Sequence, residues 1–215
     1  MDKNNEFTLI IGEKSASSWS LRGWLMMKHV GVSFDEKIVK LYRPTTKQEL
    51  TPYSPSLLVP CLHHGSLAVW DSLAIAEYLN ELFPDKYLWP QDRATRAHAR
   101  SVVAEMHSGF AALRRQWSFD IVREKQVPLD EEGKQNIQRI FEVWAGCRTR
   151  YAADGPFLFG GYSLADIFYA PVISRFRTYG LKTIPPFAVQ YMDTVWKLPL
   201  MQEWIDAARM EIANN

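Results

Sequence analysis

A chain of 215 residues, 47% hydrophobic and 23% charged, has core-forming material for one large domain or two small ones. Its formal net charge is +1 with acidic and basic residues interleaved, which points to neither nucleic acid nor an anionic membrane as a partner. No apolar run approaches the length of a membrane span and the N-terminus lacks a basic-then-apolar signal pattern, so the expected location is the cytoplasm.

Phe7 to Ile11 is apolar and rich in β-branched residues, the pattern of a buried strand. Gly12 ends it, and Glu13 to Ser20 is a polar loop dense in serine. From Leu21 the spacing turns helical, with Leu21, Trp24 and Leu25 on one face and Gly31 where a C-terminal glycine belongs. Val32 to Leu41 alternates in charge like a strand near a sheet edge. Pro44 breaks it, and Thr46 with Glu49 has the spacing of a capping box for a short helix. Two short strands follow around a turn at Gly65, and a helix runs from Ser72 to the break at Pro84. A crossover between the first two strands makes them parallel, whereas the tight turn makes the last two antiparallel.

After a linker over residues 85–92 no strand pattern remains. Arg93–Trp117 reads as one long helix with its stripe on Val103, Met106, Phe110, Leu113 and Trp117. Asp130–Tyr151 reads as a second, and Ser163-Leu-Ala-Asp166 opens a third with a capping box, Pro171 sitting inside it. Shorter helices are expected near Phe187–Trp196 and Leu200–Arg209. The expected division is therefore an α/β domain over 1–84, a linker over 85–92 and an all-helical domain over 93–215. The eight tryptophans and eleven phenylalanines imply thick packing among these helices.

Chemistry concentrates in the first domain. Pro60 cannot donate to a sheet ladder, so Val59-Pro60 belongs to a strand entry or a turn. In the cis form, such a proline turns the preceding N–H and C=O outward, free to pair with an extended ligand. The helix start at Asp71-Ser72 offers unpaired N–H groups suited to a carboxylate. Cys61 and Cys147, the two cysteines, are far apart in sequence and read as reduced thiols rather than a disulfide. No metal-ligand spacing appears, so no metal is expected.

This stretch resembles the glutathione site of the glutathione S-transferases, in which a Val-Pro pair holds the cysteinyl part of glutathione and an acidic-Ser pair its γ-glutamyl part. The resemblance implies a thioredoxin-like N-terminal domain followed by an all-helical C-terminal domain. It assigns Val59, Pro60, Asp71 and Ser72 to glutathione, which would be a co-substrate. A small electrophile would be the second substrate, and the protein a homodimer. The thiol must be made a thiolate at neutral pH, by a donor where the first strand gives way to the first helix. Ser15-Ala16-Ser17-Ser18-Trp19-Ser20-Leu21-Arg22 lies there and resembles the zeta-class signature Ser-Ser-Cys-x-Trp-Arg-Val-Arg, with Ser17 standing where that class has cysteine. Ser17, then Ser15, then Ser18 are the candidates for holding the thiol, and one serine is also needed as a helix cap.

Zeta enzymes include glutathione-dependent cis-trans isomerases, so an isomerisation is among the implied reactions. The second substrate would meet His107 and Arg114 on the long helix and Arg175. Arg175 follows Leu164, Phe168 and Pro171 at spacings that put it on their helix face, where a guanidinium must find an anion or bear a heavy desolvation cost: a salt bridge within the helical domain, or a carboxylate of the second substrate. The alternative from a different class is a non-catalytic interaction module of the same fold. It could lose the serine cluster or Asp71-Ser72 without harm, and this chain retains both.

Overall fold

The computed structural model describes residues 6–214. Residues 1–5 and 215, which the expected domain limits include, lie outside the described residues. The chain forms two compact units. One comprises Met1–Leu88 with Glu203–Asn215, and the other Trp89–Gln202.

The first unit is a four-stranded mixed sheet with helices on it. Its strands are β1 (Phe7–Gly12), β2 (Asp35–Val39), β3 (Cys61–His64) and β4 (Leu67–Trp70), in the spatial order β2-β1-β3-β4. β1 pairs parallel with β2 and antiparallel with β3, and β3 pairs antiparallel with β4. The crossover is α1 (Ser18–Val30), which ends on Gly31 at φ 80°, a left-handed conformation that glycine adopts without a Cβ clash. Ile10, Val39, Leu50 and Cys61 form a core on one face, with Leu50 supplied by α2 (Thr46–Leu50). Leu9 points the other way, toward Gly23 of α1, and α3 (Ser72–Leu82) packs beside α1. β1 is thus buried on both sides, as its unbroken apolar run requires.

Two local expectations are corrected here. Thr46 makes no capping box: Thr45 is the N-cap of α2 and its hydroxyl donates to Glu49, while the Thr46 hydroxyl accepts from Arg43 N–H and donates to the Lys40 carbonyl. The strand expected over Val32–Leu41 is trimmed to Asp35–Val39 at the sheet edge, where pairing with β1 stops at Gly12.

The second unit is helical: α4 (Arg93–Ser108), α5 (Ala111–Gln116), α6 (Glu131–Tyr151), α7 (Leu164–Thr178), α8 (Pro186–Trp196) and the start of α9 (Pro199–Ala213). The single helix expected over Arg93–Trp117 is two. Gly109 closes α4 with its N–H on the Glu105 carbonyl, and a methyl group there would lie 2.6 Å from that oxygen. Phe110 then turns left-handed at φ 55° and restarts the chain as α5. The apolar stripe carries on across the break, so periodicity alone could not reveal it. The aromatic load is packed around Trp144, whose ring meets those of Phe141, Tyr169, Phe176 and Tyr191 at centroid distances of 5.0–5.9 Å. The last helix changes allegiance midway: Glu203 onward clusters with the first unit, where Trp204 meets Trp24 edge-on at 5.4 Å.

The capping box of α7 is present, with Ser163 N–H donating to Asp166 Oδ2 at 2.9 Å. Asp166 is fully buried and also accepts from Leu158 N–H and the Tyr191 hydroxyl. Burial pushes its pKa from 3.8 to about 6, with the hydrogen bonds opposing. A carboxyl held above its unfolded pKa binds its proton more tightly when folded. That contribution is complete below the unfolded value and is lost as pH rises through the folded one. The stability of the wild type over Asp166→Asn should therefore fall by roughly 3 kcal/mol between about pH 4 and pH 6. Paired chemical denaturations across that range measure it, and a constant difference would contradict it.

Candidate active site

Strand register decides where the chemistry can lie. Ile10 stands opposite Cys61, and Cys61 opposite Trp70. The C-terminal end of β1, the N-terminal end of β3 and the C-terminal end of β4 therefore share one end of the sheet. The segments flanking those ends are residues 13–17, Val59-Pro60 and Asp71-Ser72. Both α1 and α3 also begin there, so two sets of orphan helix N–H groups lie at the same end.

The Val59-Pro60 bond is cis, as expected. The Val59 side chain packs on the core of Ile10, Val39, Leu50 and Cys61, while its main-chain N–H and C=O have no partner among the described residues. Pro60 is held against α1, where a methyl group on Gly23 would lie 3.0 Å from Pro60 Cβ. The approach is fixed by Ser54, whose buried hydroxyl donates to the Leu58 carbonyl at 2.8 Å, and by Leu57 at a left-handed φ of 56°. Asp71 has φ 70°, and its side chain accepts from Leu73 N–H at 2.7 Å, capping α3. Ser72 follows, only 1% exposed, its hydroxyl without a hydrogen-bond partner among the described residues. An unpaired buried hydroxyl costs free energy unless a ligand completes it.

The three serines separate by geometry. Residues 13–17 form a turn in which the Glu13 carbonyl accepts from Ala16 and Ser17 N–H. The Glu13 carboxylate accepts from Leu41 N–H at 2.6 Å. Ser17 is the N-cap of α1 and 4% exposed. Its hydroxyl accepts from Ser20 N–H at 3.2 Å and donates to Ser20 Oγ at 2.7 Å, which in turn accepts from Gly12 N–H. Both its proton and its acceptor site are taken up inside the fold. Ser18 is buried as the first residue of the helix. Ser15, half-buried at the tip of the turn, has a hydroxyl with no partner among the described residues.

Residues 16–82 match the family model of the glutathione S-transferase N-terminal domain, and residues 95–207 match that of the C-terminal domain. The chain belongs to the glutathione S-transferase family. A probable maleylacetoacetate isomerase of Caenorhabditis elegans is 33% identical over 113 residues, covering 53% of this chain and 52% of that protein. Glutathione S-transferase 1 of Dianthus caryophyllus is 31% identical over 179 residues, covering 78% of this chain and 76% of that protein. Among solved structures, a glutathione transferase homolog from Burkholderia GL BGR1 with bound glutathione has a TM-score of 0.72 at 25% identity, covering 95% of this chain and 98% of that one.

In this glutathione S-transferase the residues expected for the second substrate all belong to the second unit. His107, in the last turn of α4, lies with its ring 6.0 Å from that of Phe168. Arg114 on α5 donates to the His107 carbonyl at 3.3 Å, and burial lowers its pKa. Arg175 is 4% exposed. It donates from Nε to the Trp117 carbonyl at 2.8 Å and from Nη1 to the Pro171 carbonyl at 3.2 Å, with its guanidinium over the Phe119 ring. It fastens α7 to the segment after α5. Neither cysteine replaces the zeta-class thiol, since both are buried and burial pushes Cys147 up to about 12. Among the described residues no cluster of His, Cys, Asp or Glu could hold a metal ion.

Several supporting residues escaped sequence reasoning. Ser54, Ser20 and the Glu13 carboxylate act through partners in other segments, and Gly23 reads as a weak helix residue until Pro60 is beside it. The ties of Arg175 make a prediction. Arg175→Ala strands the Trp117 carbonyl and leaves a cavity, so the stability should fall by about 2–4 kcal/mol. Arg175→Lys, which lacks the planar fork, should rescue little of it. An unchanged melt in either variant would free Arg175 from this structural part.

Proposed function

We propose that this family member is an enzyme that binds glutathione at the end of its sheet and holds the thiol as a thiolate for attack on a small electrophile. The observation that carries the reading is the buried, unpartnered hydroxyl of Ser72 at the start of α3. It lies at the same sheet end as the open main chain of Val59 and the carboxylate of Asp71. The γ-glutamyl carboxylate completes Ser72 and the α3 N–H groups, the ammonium faces Asp71, and the cysteinyl backbone pairs with Val59 as an added strand. Ser15 takes precedence over Ser17 for the thiol, because its hydroxyl has a proton to donate while that of Ser17 is engaged as a cap.

A hydrogen bond to sulfur together with the α1 N-terminus favours the anion over the free thiol. The reaction proposed first is zeta-like: addition of the thiolate to a cis double bond, rotation about the resulting single bond, and elimination to the trans product. The resemblance of Ser15–Arg22 to the zeta signature and the similarity to maleylacetoacetate isomerases support it. Conjugation of a simple electrophile needs the same thiolate. His107 and Arg114 are proposed contacts of the second substrate. A cytoplasmic homodimer is proposed by analogy with the family. No helix among the described residues is long and apolar enough to cross a membrane.

Two experiments test the reading. Asp71→Ala with Ser72→Ala removes charge-assisted bonds of about 1.5–3 kcal/mol each. Retention on glutathione resin should be lost while the melt stays cooperative; normal retention would misplace the site. Ser15→Ala should raise the thiol pKa of bound glutathione by about one to two units and slow conjugation of chlorodinitrobenzene at pH 7 about tenfold or more. Glutathione affinity should hardly change. Ser17→Ala should instead cost about 1 kcal/mol of stability as a lost cap. Thiolate absorbance of the complexes reads both, and the reverse pattern returns the role to Ser17. A thiol pKa that the wild type leaves at its free value would make the protein a binding module rather than an enzyme.

A further inference from the structure

The turn that carries Ser15 is held from the far end of the chain. Lys14 N–H donates to Glu211 Oε1 at 3.1 Å and Ser15 N–H to Glu211 Oε2 at 3.0 Å, so one carboxylate straddles two successive amides. Seven residues earlier on the same helix, Trp204 Nε1 donates to the Lys14 carbonyl at 3.0 Å. The Lys14 side chain is itself pinned. Its ammonium lies 2.6 Å from Glu36 and about 5.5 Å from the ring centres of both Trp24 and Trp204. Trp24 Nε1 donates to the other oxygen of Glu36. Every one of these residues belongs to the first unit.

A turn of five residues between a strand and a helix has its ends fixed by those elements, but its tip is free to rotate. Here the peptide preceding Ser15 is fixed on both sides, through the Lys14 carbonyl and the Ser15 N–H. That peptide sets the direction in which the Ser15 side chain leaves the backbone. We propose that Glu211, seated by α9, is a positioning residue for thiol activation: it aims the Ser15 hydroxyl at the sulfur of glutathione without touching the substrate. The inference rests on the assignment of Ser15 made above. It extends the active site to a helix that family resemblance assigns to the other domain.

The split between binding and activation follows. Val59, Asp71 and Ser72, the residues proposed to hold glutathione, lie on other segments than the turn whose amides Glu211 holds. Glu211→Ala should therefore leave the KM for glutathione within about twofold, while the thiol titration of the complex moves toward that of Ser15→Ala and kcat at pH 7 falls about tenfold, one charge-assisted bond being worth that much. Amide hydrogen exchange at Lys14 and Ser15 should rise by a similar factor, a readout that needs no activity. Glu211→Gln keeps one acceptor and should recover part of each effect.

Glu203→Gln, which breaks the exposed bridge from α9 to Lys28, serves as the control for a merely structural helix contact and should leave the titration unchanged. In the double variant Ser15→Ala, Glu211→Ala the titration should match Ser15→Ala alone, because there is no hydroxyl left to aim. A shift in Ser15→Ala with none in Glu211→Ala overturns the positioning role and spares the Ser15 assignment. No shift in Ser15→Ala overturns both. An equal shift in Glu203→Gln would reduce Glu211 to a general anchor of the helix, also against the proposal.

Discussion

β1 is paired on both edges and covered on both faces, and its apolar side chains are buried. That constraint moves the chemistry to whatever lies at its end. The antiparallel register of β3 and β4 brings their own termini to the same place, and the α1 and α3 N-termini begin there. That end combines two helix N-termini, the unpaired main chain of Val59 and the buried hydroxyl of Ser72. The local strains fit this division of labour. Leu57 and Asp71, both non-glycine residues at positive φ, lie before β3 and after β4.

Much of this was legible because it is local. A glycine at the end of α1, a capping box at Ser163 and a proline at the strand entry are signals carried by neighbouring residues, and each formed where the spacing required. The acid-serine pair at the start of α3 belongs with them. The failures share a different cause. Gly109 and Phe110 divide an apolar stripe that runs on across the break, so the period survived the end of the helix. Ser15, Ser17 and Ser18 are chemically identical, and only the position of Ser20 and Gly12 in space separates the cap from the hydroxyl left unengaged. Glu211 lies 196 positions from Ser15 and carries no motif.

Two buried charges of the second unit are held largely by main chain. Arg175 lies on carbonyls and Asp166 on amides and hydroxyls, and each joins a helix to a loop that would otherwise be poorly fixed. Such groups hold because every hydrogen bond lost to water is remade by a fixed peptide dipole. They specify geometry where apolar contacts, being non-directional, could not.

The path of the chain between its two units has a consequence for how the protein is made. It leaves the first unit at Leu88 and returns at Glu203, so the helical unit is, in topology, an insertion within the sheet-bearing one. Only the inserted unit is continuous in sequence, and it alone can complete itself while the chain is still emerging from the ribosome. The sheet can assemble early, but its Trp24 face and the turn after β1 stay uncovered until residues 204–211 have been synthesised. The turn after β1 would then be the last part of the first unit to be fixed, and a nascent chain would hold its sheet before that turn was held.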